Sequence, residues 1–489
     1  MKWWLLCLGV LALVLLRNQP WDCLIGYDQA KQAYVSLEMV QDGHWWHQHL
    51  PTGLPATKPP LAGWLSAAIY PLMGGWWEGA WRAPSFLAFI GMLFILGRAA
   101  WRTGGEWAAF LAIAVFSMNM LTIRLATLVR TDMLLALTIL WGGILIWQQI
   151  RDDRPWSATR RAAFALIVLA GCFTKGPVIL VFLLVPLLVW RLVCWRRHES
   201  SPAWPGWWPW LVPTSLFIIW LVVGCLLDNQ FFRMVVVKEF GTNFAAISVT
   251  DTGHITVGSR HFSMMLTYPL QLFHRLFPWS VAVALWVIVD RQGRRRLWSD
   301  AGPRWLVVWI GVALLLMSLV PNKRVDRIFP IVAPFALLVA HLIGTGTWAG
   351  IGLRNPRKVI GCLTIIAFLT WGGYTVYWQM DTRNQEKNEE IARRDLCRQV
   401  TDFARAARVD VKVVGPISDL NQSLLTYLRC TGTIDQDMLR DALAEGNAVL
   451  MPLPRDFPTN ESGRVVVRSD RVTEAGCGYG LLIRFKVSE

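Results

Sequence analysis

Asp28 lies in Gly26-Tyr27-Asp28-Gln29-Ala30, directly after the first hydrophobic stretch of the chain. Lys58 follows in the same polar segment and opens Lys58-Pro59-Pro60-Leu61. A carboxylate near an attacking hydroxyl can act as a general base. A lysine whose backbone is stiffened by two following prolines is a placed cation, and a placed cation suits a phosphate. Both residues fall just outside a membrane, an arrangement that fits a substrate hung from a lipid by a phosphate. The plainer readings are a solvated loop acid or helix cap for Asp28 and headgroup snorkelling for Lys58.

Three further groups of ionisable residues adjoin apolar stretches, where a charge is costly to place. Asp132, in Val129-Arg130-Thr131-Asp132-Met133, opens such a stretch after a very short loop. It reads as an acid at a helix start or as a second acid beside Asp28. Lys175-Gly176-Pro177 reads as a tight turn between two stretches, its charge at headgroup level. Asn322-Lys323-Arg324-Val325-Asp326-Arg327 puts three cations in one loop.

Composition identifies what must position these groups. The chain has 489 residues, 54% hydrophobic, with 29 Trp, too apolar for an ordinary soluble protein of this length. Crossing a bilayer takes about 20 residues of helix, and only helices or closed barrels satisfy their backbone there. The uncharged runs are too long for barrel strands. The expected fold is a polytopic α-helical membrane protein of about eleven spans: 3–16, 84–100, 107–123, 132–150, 162–174, 177–194, 209–227, 264–289, 305–322, 328–346 and 359–378. Pro60–Gly74 is apolar but short and starts with two prolines, so it reads as a helix lying at the interface.

With the N-terminus inside, loops 98–106, 151–161, 191–208, 290–304 and 347–358 hold 17 Lys/Arg in 65 residues, against four in the 67 residues of loop 17–83. That bias orients the chain. The three cations of the loop at 322–327 then face outward against the bias, which calls for an anionic partner. The Trp pairs Trp76-Trp77 and Trp207-Trp208 suit the interfacial belts. The net charge of +15 lies wholly in the membrane part, so anchoring to anionic lipid accounts for it and nucleic-acid binding is not indicated. Met1–Leu16 resembles a signal peptide, but Arg17-Asn18-Gln19-Pro20 is a poor cleavage site, and the segment reads as a retained span.

After Met380 the composition changes to that of a small α/β domain. Helices are expected at 381–395, 391–409, 419–429 and 437–445, and strands at 411–414, 448–451, 465–467 and 481–487. By parity of spans this domain, 381–489, lies outside, and it carries no catalytic motif. The membrane domain is 1–380. The cysteines show no metal-ligand spacing; one pair among Cys397, Cys430 and Cys477 could bridge.

Seven short motifs occur in order: Asp28-Gln29, Lys58-Pro59-Pro60-Leu61, Arg82-Ala83-Pro84-Ser85, Arg130-Thr131-Asp132, Thr174-Lys175-Gly176-Pro177, Pro278-Trp279-Ser280 and Lys323…Phe329-Pro330…Pro334. In these the chain resembles the bacterial GT-C glycosyltransferases that use polyprenyl-phosphate-linked sugars, the aminoarabinose transferase and protein O-mannosyltransferase relatives. The resemblance implies a sugar moved from a polyprenyl-phosphate carrier to lipid A, a glycan or a protein, on the outer face of the bacterial inner membrane. Negative charge builds on the leaving phosphate, so cations held there favour the transition state. Lys58 is the first choice, then Lys323 and Arg324, with Arg327, Arg82 and Lys175 completing the set. Asp28 is the expected base, assisted by Asp132. Against an ionised acceptor Asp28 would orient rather than deprotonate. Neither a nucleotide nor an obligatory metal is expected. Two departures stand out. Gln29 replaces the family's second acid, and Val325 and Arg327 replace the Pro and Tyr of Lys-x-Pro-x-Tyr. A transporter or flippase for lipid-linked sugars is the alternative, though no internal repeat or mid-span charge supports it. A non-catalytic assembly subunit is a third reading.

Overall fold

The computed structural model describes residues 3–199, 204–241, 247–249, 255–257, 265–320, 323–344, 356–415, 421–454, 464–474 and 477–483. Asn322, most of loop 347–358, the expected cap Asp419 and the end of the last strand lie outside them. The described residues form mostly helix, in two compact units. The first comprises Met1–Asn18, Thr57–Ala62 and Ala83–Gln379. The second comprises Gln19–Ala56, Gly63–Arg82 and Met380–Glu489.

In the first unit the described residues of each of the eleven apolar stretches are mostly helical. Seven helices are long and apolar enough to cross a membrane, and a bent pair raises this to eight. The expected stretch 84–100 and the start of 107–123 fall in Trp77–Ser117, whose backbone leaves the helical region at Gly104 and Gly105, and the rest of 107–123 runs into the short helix Met120–Leu125. Gly105 has φ +70°, which a side chain would disfavour. Stretch 162–174 falls in Ala158–Lys175, which starts with charged residues. Stretch 264–289 is a broken element: Thr267–Arg275 and Trp279–Val289 meet at 106°. The motif Pro278-Trp279-Ser280 sits at this break, where the Ser280 hydroxyl donates to the Phe273 carbonyl (2.6 Å). Between Trp208–Leu227 and the break lie a π-helix, Phe232–Gly241, and a hairpin of strands β1 (Ile247–Val249) and β2 (Ile255–Val257). The helix Leu61–Leu72, in the stretch read as interfacial, has 12 residues, about 18 Å at 1.5 Å each, too short to cross.

The second unit is built on a four-stranded sheet in the order β3-β4-β6-β5, with β3 Val411–Val413, β4 Ala448–Leu453, β5 Arg464–Glu474 and β6 Cys477–Ile483. The first pair is parallel and the others antiparallel. Its long helix, Gln385–Ala407, starts at Asn384, whose side chain accepts from the Lys387 amide. Residues 19–56 belong to this unit. Tyr34, on the helix Tyr27–Gln41, is buried in one core with Leu396, Val400, Leu424, Leu450 and Leu481. The Tyr427 hydroxyl donates to Glu390 (2.7 Å) and accepts from the Leu24 amide (2.7 Å), and Asp22 pairs with Arg394 (2.9 Å). No pair among the three tail cysteines that could bridge does so. Cys397, Cys430 and Cys477 are thiols. The first two point at the carbonyls of Leu424 and Val411. Burial raises both thiols, Cys430 to about 11.

Candidate active site

Most of the expected residues meet in the first unit. The Lys58 ammonium forms an ion pair with Glu239, in the π-helix after Trp208–Leu227. Burial alone would raise the Glu239 carboxyl. The charge and hydrogen bond of Lys58, with the charges of Lys175 and Arg327, hold it below its ordinary value. Lys58 is thus paired with Glu239, and the charges of Lys175 and Arg327 act on the same carboxylate. Glu239 did not figure among the sequence candidates. Its pairing spans 181 positions, and its only local signal was an acid beside Lys238 in an outward loop.

Asp132 is the first residue of the helix Asp132–Asp152, with Thr131 at the N-cap. It is 3% exposed, too buried for an unpaired charge. One oxygen accepts from Lys175 (2.6 Å), and the other pairs with Arg130 (3.2 Å). Arg130 also pairs with Asp326 (2.7 Å), which accepts from Arg124 as well (3.2 Å). The local sequence sets this geometry. Lys175 ends the helix Ala158–Lys175. Gly176, with φ 74° and ψ −162°, closes it through its amide to the Cys172 carbonyl (2.8 Å). Pro177 then precedes the next helix. Ser85, from the Arg-x-Pro-Ser motif, donates to the carbonyls of Leu128 (2.6 Å) and Arg130 (3.1 Å) and so fixes the loop carrying Arg130.

The Lys323 ammonium donates to the Ser318 carbonyl (2.6 Å), at the C-terminal end of Ala301–Leu319, and lies 4.7 Å from the Tyr268 ring centroid. A cation suits that helix end. Burial, and then the charge of Arg327, lower the Lys323 ammonium. The Tyr268 hydroxyl donates to the Arg324 carbonyl and accepts from its amide, both at 3.0 Å. Tyr268 stands on the first half of the broken element, so the break positions the Lys323–Arg324 segment. Arg324 is exposed and Arg327 half-buried.

Asp28 and Arg82 belong to the second unit. Asp28 is half-buried in the first turn of Tyr27–Gln41, where an acid suits the helix dipole. Its neighbour Gln29 is 3% exposed, and its amide donates to the Ile25 carbonyl. Arg82 is 2% exposed, and its guanidinium donates to the carbonyls of Trp21 (3.0 Å) and Cys23 (2.8 Å). It thereby fixes the segment ahead of Asp28.

In the first unit, then, Lys58, Arg124, Arg130, Lys175, Lys323, Arg324 and Arg327 stand with three acids, Asp132, Glu239 and Asp326. This excess of cations can hold an anion. Part of it is already neutralised in place, which limits the self-repulsion of the empty site.

No protein-family model matches the chain. An undecaprenyl phosphate-alpha-4-amino-4-deoxy-L-arabinose arabinosyl transferase of Shewanella sediminis is 24% identical over 325 residues, covering 64% of this chain and 55% of that protein. The enzyme of the same name from Erwinia tasmaniensis is 24% identical over 365 residues, covering 71% and 61%. This chain thus spans little more than half the length of the curated relatives it matches. The crystal structure of ArnT from Cupriavidus metallidurans bound to undecaprenyl phosphate superposes with a TM-score of 0.69, at 15% identity, over 100% of this chain and 99% of that one. The apo form gives 0.64. The chain has the fold of ArnT, and its sequence relatives are named arabinosyl transferases.

Proposed function

We propose that this chain, with the fold of ArnT and arabinosyl transferases among its relatives, is a membrane glycosyltransferase that takes a sugar from a polyprenyl-phosphate carrier. The observation that carries the reading is the Lys58–Glu239 ion pair, on a carboxylate that also feels the charges of Lys175 and Arg327. A carboxylate is a partial mimic of a phosphate, and Glu239 holds Lys58 where a donor phosphate would be held. As the glycosidic bond breaks, charge develops on the phosphate, and these cations favour that state over the ground state. Arg327 stands where the family motif has a Tyr, which adds a cation and suits a doubly charged leaving group.

Asp132 holds Lys175 and Arg130 in place rather than moving a proton, because both its oxygens are engaged by cations. Lys323 and Arg324 border the cluster, and Arg82 acts through the backbone it fixes. Asp28 is assigned the base, on the motif. The acceptor is a lipid such as lipid A, a glycan or a protein at the outer face of the inner membrane. Eleven crossings with the N-terminus inside place the α/β domain outside. Neither a nucleotide nor an obligatory metal enters this reading.

Purified protein is to be incubated with a polyprenyl-phosphate sugar and membrane extract, and cell-surface lipids and proteins compared by mass spectrometry with and without the gene. One sugar lost from one acceptor class, and restored by the purified protein, is expected. An unchanged surface together with no release of polyprenyl phosphate would sink the reading.

A further inference from the structure

The first outer segment carries a group of side chains that the transfer reaction does not use. Glu38 ends the helix Tyr27–Gln41, and His44 and His49 lie in the irregular segment that follows. The Nδ1 atoms of His44 (2.8 Å) and His49 (2.6 Å) both face Oε1 of Glu38. The other carboxylate oxygen accepts the backbone N–H of His49 (2.6 Å). The Glu38 side chain is 4% exposed, whereas that of His44 is 47% exposed. A third imidazole, His47, packs against His49 with ring centroids 4.4 Å apart. Three of the eight histidines of the chain thus fall within six residues, beside a buried acid.

We infer that Glu38, His44 and His49 bind a divalent transition-metal ion, zinc by the chemistry of the donors. Two imidazoles and one carboxylate are a zinc-type donor set. Their three ligand atoms already lie within 4.8 Å of one another. Tetrahedral ligands at zinc distances stand about 3.3 Å apart, so each ring has to retreat by less than about 1 Å. Without an ion each Nδ1–H donates to Glu38 Oε1; on binding, each ring carries its proton on Nε2 and turns its Nδ1 lone pair to the metal. The carboxylate is already oriented, since its second oxygen is fixed by the His49 amide, the kind of outer contact that holds a metal ligand in place. The fourth position opens to solvent on the His44 side and takes water.

The consequence is local order. From Asp42 to Leu54 the chain has turns and no helix or strand. Gln48 ties the segment to itself through the Trp45 carbonyl (2.7 Å), and the Trp64 indole donates to that same carbonyl (2.6 Å). A bound ion staples this segment to the end of the helix Tyr27–Gln41. Metal binding at such a site is stabilisation of the folded segment.

The full-length protein, purified in detergent with a histidine-free tag and stripped with a chelator, is to be titrated with zinc. Metal content after desalting is measured by mass spectrometry and site geometry by cobalt(II) absorption. One zinc per chain and a tetrahedral cobalt spectrum are expected. His44→Gln, at an exposed position that the fold tolerates, and His49→Gln should each weaken binding by at least about tenfold, as loss of even an outer contact does. Zinc should also slow amide exchange across residues 42–54 in the wild type and not in His44→Gln. Lys58→Ala should bind zinc as the wild type does, which separates this site from donor binding. Equal zinc content in the wild type and both histidine variants, or an octahedral cobalt spectrum, would show that the triad is only a hydrogen-bond network.

Discussion

Lys58 and Glu239 form an internal ion pair at the place where an external anion is proposed to bind, and this makes opposite predictions for the two residues. Lys58→Ala removes a charge-assisted contact worth about 1.5–3 kcal/mol, or roughly 10–150-fold in donor affinity at 1.4 kcal/mol per decade. Lys58→Arg should recover part of the loss, since charge is kept while geometry changes. Glu239→Gln removes the competing carboxylate and keeps the shape. Polyprenyl phosphate should then bind more tightly than to the wild type, by roughly tenfold if about 1.4 kcal/mol of competition is relieved. Titration of purified variants with polyprenyl phosphate, read by intrinsic Trp fluorescence, checks both. Weaker binding by Glu239→Gln would mean that the carboxylate orients Lys58 instead of competing for it. For Asp28→Asn, transfer should fall by at least about 10²-fold with donor binding intact, the low end for a general base. Near-normal transfer would leave Asp28 as a helix-start acid.

At the scale of elements, apolar runs and turn chemistry located the helices, while contacts between distant segments stayed hidden. Lys58 was legible because two prolines marked its backbone, and Asp132 because an acid opens a span. Glu239 was not, because nothing near it in sequence announces Lys58 as its partner. The ion pairs of Arg130 with Asp132 and Asp326 were hidden for the same reason. Both oxygens of Asp132 are consequently engaged, which alters the role that its position alone suggested. Gly176 links the two levels. Its φ of 74° with ψ −162° belongs to a region that only glycine occupies without strain. Gly176→Ala should cost about 1–3 kcal/mol of stability. It should also displace Lys175 from Asp132, so that transfer falls more than thermal stability does. Activity and melting measured on the same preparation check this. Wild-type values of both would mean that the turn relaxes without moving Lys175.

For the whole molecule the open quantity is the number of crossings, because its parity sets the side on which residues 380–489 emerge. Seven helices are long and apolar enough by themselves, and the bent pair brings the count to eight. The helix Trp77–Ser117 cannot be a single crossing. It is two helices that meet at Gly104 and Gly105; the first extends about 40 Å at 1.5 Å per residue, enough to cross roughly 30 Å of hydrocarbon, and the second reaches that length only together with Met120–Leu125. Gly104 and Gly105 interrupt it, and Arg98 and Arg102 stand just before the interruption, where the positive-inside bias would put a cytoplasmic turn. On the proposed topology it counts as two crossings. Ala158–Lys175 adds another: Arg160 and Arg161 lie at its start, with an apolar remainder. Trp3–Arg17 is 15 residues of helix, short but uninterrupted by charge before Arg17, and a thinned bilayer or a snorkelling Arg17 accommodates it. The proposed total is then odd, and on that count the two termini would lie on opposite sides. A fluorescent reporter that matures only in the cytoplasm, fused after Glu489, should stay dark, while alkaline phosphatase at the same point should be active. The same pair of reporters placed between Gly104 and Gly105 should give the reverse. A bright fusion at Glu489 would make the count even, move the α/β domain inside and remove the outer-face assignment of the site.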